Sequence, residues 1–286
     1  MASIRKQKIK GKVYYSLIER VKIKDKWRYK TLESYGTKLP KVNDIRIIKG
    51  FAEEEIKKLP DNSVDLIIID PPYGIDYNTN HRKDLNKNLG KITLDNKKIF
   101  KTFPIVIQEC FRVLKNNSAL YCFCRWDTLN SFKEIIERYF NIKNNLIWVK
   151  NNWSMGDLKG SYAGQYENIL FCVKGKHKLN NGRATDILKF DRVAGNSLLH
   201  SHQKPIELLN FLIKKSTKPN GVVMDCYMGS GSTIISAVGL GRGSIGIELN
   251  DKYLEIVNKR LEKECYNKVN SIEWKECSQT NRDTTK

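Results

Sequence analysis

The stretch "VDLIIIDPPYGI", residues 64–75, decides how the rest of the chain is interpreted. Four apolar residues, Leu66 to Ile69, run directly into Asp70 and two prolines. A short apolar run bounded by Pro and Gly is typical of a buried strand, and the prolines fix the backbone that follows it. Parallel strands present their functional groups at their carboxyl ends. The stretch therefore predicts that the Asp70 carboxylate and the Tyr73 ring are held rigidly at one edge of a sheet.

Beyond residue 44, strand-like and helix-like stretches alternate along the chain. The pattern predicts strands within 44–50, 63–70, 119–125, 145–150, 168–174, 221–227 and 243–249. It predicts helices within 51–59, 99–115, 128–140, 204–216, 231–240 and 251–264. Such alternation indicates an α/β fold, with a mostly parallel sheet covered by helices on both faces.

Residues 1–42 have a different pattern and are predicted to form a small basic β-meander. Strand-like runs at 3–9, 12–22 and 26–34 are separated by turn-like breaks. We therefore divide the chain into an appendage, residues 1–42, and a catalytic domain, residues 43–286. The appendage is a candidate for DNA binding, and a strand extension or a dimer contact is the open alternative.

The charge of the chain points to a polyanionic partner. The 286 residues contain 51 Lys and Arg against 31 Asp and Glu, a formal net charge of +20. Residues 1–42 hold 13 Lys and Arg and 3 Asp and Glu, which is half of that excess. A basic excess of this size favours nucleic acid as the partner, and a Lys-rich solvated surface is the alternative.

Composition also limits the class of protein. No apolar run approaches the ~18 residues of a membrane span, and the start "MASIRKQKIKGK" lacks the apolar segment of a signal peptide. Seven cysteines form no Cys-x-x-Cys pair, and four of them lie in apolar stretches. This usage predicts reduced, buried thiols in a cytoplasmic protein, without disulfides or a metal site.

A glycine-rich turn, "MDCYMGSGST" at residues 224–233, follows a predicted strand and opens a predicted helix. It lacks the Gly-Lys-Ser/Thr of a phosphate loop and does not complete Gly-x-Gly-x-x-Gly. Glu248 ends the next strand, 19 positions after Gly229, where an acidic residue can accept the hydroxyls of a ribose. S-adenosylmethionine fits, with its carboxylate at the helix N-terminus, its ammonium at Asp225 and its ribose at Glu248. An ordinary tight strand–helix turn is the alternative.

Two further motifs complete the candidate site. After residue 69, the Asp70 carboxylate and the Pro71 carbonyl can accept hydrogen bonds, and Tyr73 offers a ring. These groups suit a planar base that stacks on Tyr73 and donates from an exocyclic NH₂. In "HSHQKP", residues 200–205, we interpret His200 and His202 as loop residues, because no third metal ligand has a suitable spacing. Gln203 and Lys204 precede a helix start and are placed to hold a carboxylate of a ligand.

Together these motifs resemble the amino-methyltransferases of DNA in the β-class order, with the catalytic motif first and the glycine loop last. The resemblance covers about 44–265 and includes "IWVK", "YENILFCVKG", "HSHQKP", "MDCYMGSGST" and "GIELN". It implies a Rossmann-like methyltransferase fold and DNA as the substrate. It also implies two groups of site residues. The target base would be handled by Asp70, Pro71, Pro72 and Tyr73. S-adenosylmethionine would be held by Asp225, Tyr227, Gly229, Ser230, Gly231, Thr233, Glu248, Gln203 and Lys204.

The sequence departs from the family pattern in three places. The usual Asp-Pro-Phe is Asp225-Cys226-Tyr227, and the usual Gly-Asp before the catalytic strand is Gly50-Phe51, which changes one expected cofactor contact. Ser201 and His202 replace two central residues of the His-Pro-Thr-Gln-Lys-Pro pattern. None of these changes removes a catalytic group.

The expected activity is methylation of adenine at N6, because Asp in the first position of the catalytic motif favours adenine as the target base. N4 methylation of cytosine, methylation of RNA or of a protein glutamine, and an inactive nucleic-acid-binding protein are the alternatives. The basic stretch 76–100 is expected to order on DNA, and 175–199 is a conventional place for target recognition. A homodimer and a cognate restriction enzyme are left open.

Overall fold

The computed structural model describes residues 45–74, 98–153, 159–193 and 203–263 with their side chains. It describes 2–9, 12–23, 26–36, 264–265 and 272–275 by their backbone. The expectations for 76–97, for 194–202 and for the tail after Cys277 lie outside these residues.

The first three strands form a sheet of their own. β1 (Ala2–Ile9), β2 (Lys12–Ile23) and β3 (Lys26–Gly36) pair antiparallel in the order β1-β2-β3. Their bounds lie within two residues of the strands predicted from the sequence.

A nine-stranded sheet holds the remaining strands, in the order β12-β4-β11-β10-β5-β6-β8-β7-β9. Its strands are β4 (Ile45–Lys49), β5 (Val64–Ile69), β6 (Leu114–Cys124), β7 (Asn141–Val149), β8 (Tyr166–Lys174), β9 (Ile187–Lys189), β10 (Val222–Asp225), β11 (Gly243–Glu248) and β12 (Ile272–Lys275). Neighbouring strands pair in parallel except where β8 meets β6 and β7. The predicted α/β class, with a mostly parallel sheet, is confirmed.

Six α-helices among the described residues accompany this sheet. They are α1 (Ala52–Glu55), which continues as a 3₁₀ turn (Ile56–Lys58), α2 (Ile99–Val113), α3 (Leu129–Ile136), α4 (Ile206–Ser216), α5 (Ser232–Gly239) and α6 (Asp251–Cys265). The helix predicted within 204–216 begins at Ile206, because Pro205, with a ψ of 138°, is the N-cap of α4. None of these helices combines the length and the apolar character that a membrane crossing would need.

The alternation of side chains along β5 divides the core into two layers. Ile67 and Ile69 pack with α1, α2 and α3 on one face of the sheet. Leu66 and Ile68 pack with α4 and α5 on the other face. Helices therefore cover both faces, and the apolar run that reads as a buried strand is buried on both sides, as parallel strands usually are.

Cysteines contribute to the core as small apolar side chains. Cys110, Cys122, Cys124, Cys172 and Cys226 are free and buried. The prediction of reduced, buried thiols is confirmed for these five residues.

Candidate active site

The cleft lies where the strand order of the large sheet reverses. From β5 the chain proceeds to β6 on one side, and from β10 it proceeds to β11 on the other, while β5 and β10 are neighbours. In open α/β sheets, a reversal of this kind leaves a crevice at the carboxyl ends of the strands. Asp225 ends β10 and Asp70 follows β5, so both carboxylates reach this crevice.

The turn after β5 is fixed by its own side chains. Tyr73 donates a hydrogen bond of 2.7 Å from Oη to Oδ1 of Asp70. Burial raises the pKa of Tyr73 well above its ordinary value, and the neighbouring carboxylates of Asp70 and Glu167 raise it further. The phenol is therefore neutral and acts as a donor, and it orients the Asp70 carboxylate at the end of the strand.

Lys204 lies between two carboxylates in the cleft. Its Nζ is 2.5 Å from Oδ2 of Asp70 and 3.3 Å from Oε2 of Glu167. Lys150 binds the other oxygen of Glu167 at 2.7 Å. The side chains of Lys204 and Glu167 are 8% and 16% exposed, so these charges interact in a partly desolvated setting.

The charges of this cluster stabilise one another. Burial alone would raise the pKa of Glu167, but Lys204 and Lys150 outweigh it and lower the pKa to about 2. Burial alone would lower the pKa of Lys204, but Asp70 and Glu167 raise it above its ordinary value. Near neutral pH the cleft therefore holds a cationic Lys204 and an anionic Glu167 next to the Asp-Pro-Pro-Tyr turn, residues 70–73.

The glycine turn presents a carboxylate that lacks a cationic partner among the contacts described. Asp225 accepts hydrogen bonds from the backbone N–H of Tyr227, at 3.0 Å, and from the Thr233 side chain. Burial nevertheless raises the pKa of Asp225 to about 7, and the nearby carboxylates of Asp70 and Glu248 add to the effect. A cation bound at this position would favour the ionised carboxylate.

Glu248 is both a wall of the cleft and an anchor of the glycine turn. Its Oε2 accepts the N–H of Gly229 at 2.8 Å, while Oε1 accepts those of Leu249 and Asn250 at 3.0 and 2.8 Å. A carboxylate oxygen can accept two hydrogen bonds, so Oε2 retains room for one more donor. Arg260 fixes the turn from the other side, with its Nη1 2.7 Å from the carbonyl oxygen of Ser230.

The cleft brings together twelve of the thirteen residues that the sequence singled out. Its walls include Asp70, Pro71, Pro72, Tyr73, Gln203, Lys204, Asp225, Tyr227, Gly229, Ser230, Thr233 and Glu248. The exception is Gly231, the N-cap of α5, which has a φ of +78°. A Cβ on Gly231 would lie 2.7 Å from Cγ2 of Val257. Glycine is therefore required here by backbone conformation and by packing on α6.

Sequence reasoning missed three residues of this region. Glu167 and Lys150 complete the charge cluster, and Phe123 places its ring centroid 5.0 Å from Nζ of Lys204. Phe51, at the position where the family pattern has Asp, lines the cleft with 38% of its surface exposed. The contact that this position offers is therefore an aromatic ring and not a carboxylate.

Comparison with known proteins shows which family this chain resembles. A family model described as DNA methylase, of the N6/N4 type, matches residues 64–259. The DNA adenine methyltransferase YhdJ of Escherichia coli (strain K12) is 30% identical to this chain over an alignment of 251 positions, and the alignment covers 76% of this chain and 82% of YhdJ. The Type II methyltransferase M.HinfI of Haemophilus influenzae is 29% identical over an alignment of 253 positions, and the alignment covers 77% of this chain and 69% of M.HinfI.

A solved structure agrees with these sequence matches. The crystal structure of the M1.HpyAVI–SAM complex superimposes with a TM-score of 0.59 at 28% identity, covering 76% of this chain and 98% of the other. The family model alone spans more than half of the 286 residues. This protein belongs to the N6/N4 DNA methylase family.

Proposed function

We propose that this chain transfers a methyl group from S-adenosylmethionine to the N6 amino group of adenine in DNA. The observation that carries the proposal is that the Asp-Pro-Pro-Tyr turn and the glycine turn line one cleft. A donor held by the second turn would meet an amino group held by the first. The adenine specificity is supported by the relative YhdJ, which is named a DNA adenine methyltransferase.

The residues of the glycine turn fit S-adenosylmethionine. Asp225 is a buried carboxylate whose ionised form a cation would favour, and the ligand carries an ammonium group and a sulfonium. Glu248 has room at Oε2 for one ribose hydroxyl. When bound, S-adenosylmethionine supplies an electrophilic methyl group on its sulfonium sulfur.

The residues of the catalytic turn would position the base. Its amino lone pair is delocalised into the ring, and hydrogen bonds from NH₂ to Asp70 and to the Pro71 carbonyl would localise it toward the methyl group. Tyr73 would stack on the base after it leaves the duplex, which costs a few kcal/mol. Positioning and electrostatics then suffice for an in-line displacement, without a covalent intermediate.

The amino group of the base would share Asp70 with Lys204, because a carboxylate oxygen can accept two hydrogen bonds. Both oxygens of Asp70 already accept hydrogen bonds, Oδ1 from Tyr73 and Oδ2 from Lys204. Glu167 lies 3.3 Å from Nζ of Lys204, so the ammonium can shift toward Glu167 while it stays paired. Lys204 was predicted to hold the ligand, and its contacts favour a role next to the base as well.

One experiment tests the proposal and separates its alternatives. DNA is incubated with the protein and S-adenosylmethionine, digested to nucleosides and analysed by mass spectrometry. We expect N6-methyladenine from the wild type and none from Asp70→Ala, while calorimetry finds ligand binding nearly unchanged in the variant. N4-methylcytosine would overturn the base assignment. Turnover of the variant within tenfold of wild type would overturn the role of Asp70.

A cognate restriction enzyme and a homodimer stay predictions from the sequence. Two relatives, M.HinfI and M.HpaI, are named Type II methyltransferases, which supports the first. If the chain protects DNA, methylated plasmid should resist a restriction enzyme that recognises the same site. Light scattering on a size-exclusion column tests the second.

A further inference from the structure

Four aromatic side chains are exposed to solvent along one edge of the large sheet. Trp126, Trp153, Tyr162 and Tyr166 are 69%, 67%, 103% and 45% exposed. We call these four residues the aromatic rim. In the described part of the chain, none of the four is among the apolar side chains that form the core on either face of the sheet or pack against it.

The aromatic rim lies on the same edge of the sheet as Asp70. β5 and β6 run in parallel, so Trp126, two residues beyond β6, lies at the edge that Asp70 reaches from β5. Trp153 follows β7, which has the same direction as β6 because both pair antiparallel with β8. β8 therefore begins at this edge, where Tyr166 pairs with Val149 at the end of β7.

The chain around the aromatic rim is basic. The described stretches 125–127, 150–153, 159–167 and 189–193 contain five Lys and Arg against two Asp and one Glu. Arg125 pairs with Asp127, and Lys150 pairs with Glu167. Lys159, Lys189 and Arg192 lie within a few residues of the exposed rings in sequence or across the β7–β9 pairing. Exposed rings interleaved with cations are the pattern by which proteins hold unpaired nucleic-acid strands, with bases on the rings and phosphates at the cations.

We propose that the aromatic rim is a stacking platform for unpaired bases of DNA, placed beside the cleft that takes the target base. This inference rests on the proposed function, because a target base in a duplex is out of reach until it is unstacked. Stacking of the neighbouring bases on these rings would offset the free-energy cost of unstacking the target base, at the same edge of the sheet. The platform gives the enzyme affinity for single strands that a duplex of the same length does not share.

A sequence-independent probe tests the platform without knowledge of the recognition site. Binding of a 20-nucleotide oligodeoxythymidine and of a mixed-sequence 20-base-pair duplex is measured by fluorescence anisotropy, with tryptophan fluorescence as a second readout. Trp126→Ala and Trp153→Ala should each weaken single-strand binding roughly 5- to 100-fold, the range for loss of one stacked base. Duplex binding should change less than twofold.

Matched variants separate stacking from loss of structure. Trp126→Phe keeps a ring and should retain most of the single-strand affinity. Ile105→Ala removes an exposed apolar side chain on α2, outside the aromatic rim, and should change neither probe. Wild-type tryptophan fluorescence should be quenched by the oligonucleotide, and less so in Trp126→Phe.

The outcomes distinguish this inference from the proposed function. Equal losses for strand and duplex, or no loss for either, overturn the platform even if nucleoside analysis finds N6-methyladenine. Loss in Trp126→Phe as large as in Trp126→Ala also overturns it. Trp-dependent binding of the single strand without any methylated nucleoside would instead uphold the platform and overturn the proposed function.

Discussion

Lys204 is shared by two carboxylates, and the balance between them decides how tightly Asp70 is held. In Glu167→Gln the second anion is lost, so Lys204 should stay on Asp70 and the amino group of the base should compete less well. We expect the transition state to lose about 1.5–3 kcal/mol, the value of a hydrogen bond to a charged group, as a roughly 10- to 100-fold lower kcat. Steady-state kinetics should show little change in KM for S-adenosylmethionine.

A control for this variant lies elsewhere in the fold. Glu109 is 15% exposed and pairs with Arg112 at 2.7 Å, so Glu109→Gln removes a similar carboxylate outside the cleft. It should alter stability without altering kcat. If Glu167→Gln retained wild-type kcat, or if both variants lost the same activity, the role of Glu167 in positioning Lys204 would be wrong.

Asp225 gives a second prediction, about pH. Its pKa is about 7 in the folded chain and about 3.9 in an unfolded one, so the unfolded state loses this proton first as pH rises. Ionisation of Asp225 should therefore lower the free energy of unfolding of the ligand-free protein between pH 4 and 7. Urea denaturation at pH 4.5 and 7.5 should show wild type losing stability relative to Asp225→Asn.

Ligand binding should reverse that trend, because cationic groups of S-adenosylmethionine favour the ionised carboxylate. Saturating ligand should stabilise wild type more at pH 7 than at pH 5.5, and the difference should shrink in Asp225→Asn. A wild type that gains stability over the variant as pH rises, without ligand, would contradict the assignment.

Asp70 and Asp225 could be predicted as site residues from the sequence, because each directly follows an apolar run that is typical of a strand. Glu167 could not be found the same way, since it precedes the apolar part of its strand. In a parallel strand it would lie at the opposite edge of the sheet. It reaches the cleft because β8 is antiparallel to its neighbours, and strand direction is not encoded in a local pattern.

Among the elements, the start of α5 depends on two glycines with different requirements. Gly229 and Gly231 have φ of +53° and +78°, where an L residue costs about 1–2 kcal/mol. A Cβ on Gly229 would meet no atom within 4 Å, whereas one on Gly231 would overlap Val257. Gly231→Ala should therefore cost about 1–3 kcal/mol more in unfolding free energy than Gly229→Ala.

Urea denaturation of the two variants measures this difference. The double variant Gly231→Ala with Val257→Ala frees the space and should show a favourable coupling between the two changes. Equal stability of the single variants would mean that α6 moves to accommodate the methyl group.

Most helices and strands were predictable because each has its own periodicity of apolar residues or its own boundary residues. Two strands were not. β9 has three residues in a polar stretch and, among the described strands, pairs only with β7, so its local pattern is too short to stand out. β12 has four residues and pairs with β4, about 230 positions away in sequence. Both lie at the ends of the sheet, where long-range pairing and not local sequence determines the strand.

For the whole molecule, charge distribution gives the remaining prediction. Residues 1–42 carry a net charge of +10, half of the total, and their three strands form a sheet separate from the nine-stranded one. We propose that this stretch is a DNA-binding appendage of a catalytic domain formed by residues 43–286. A β-ribbon can enter the major groove, and Lys and Arg on its turns can neutralise phosphates.

Deleting residues 1–42 tests this division. Each phosphate contact that is lost should flatten the slope of log affinity against log salt by about 0.9 on duplex DNA, because fewer counterions are released. Affinity for S-adenosylmethionine should stay the same, since Asp225 and Glu248 belong to the large sheet. Methylation at saturating DNA should survive as well. If the salt slope of the folded, truncated protein equals that of the full chain, the ten positive charges serve something other than DNA, such as a contact between protein chains.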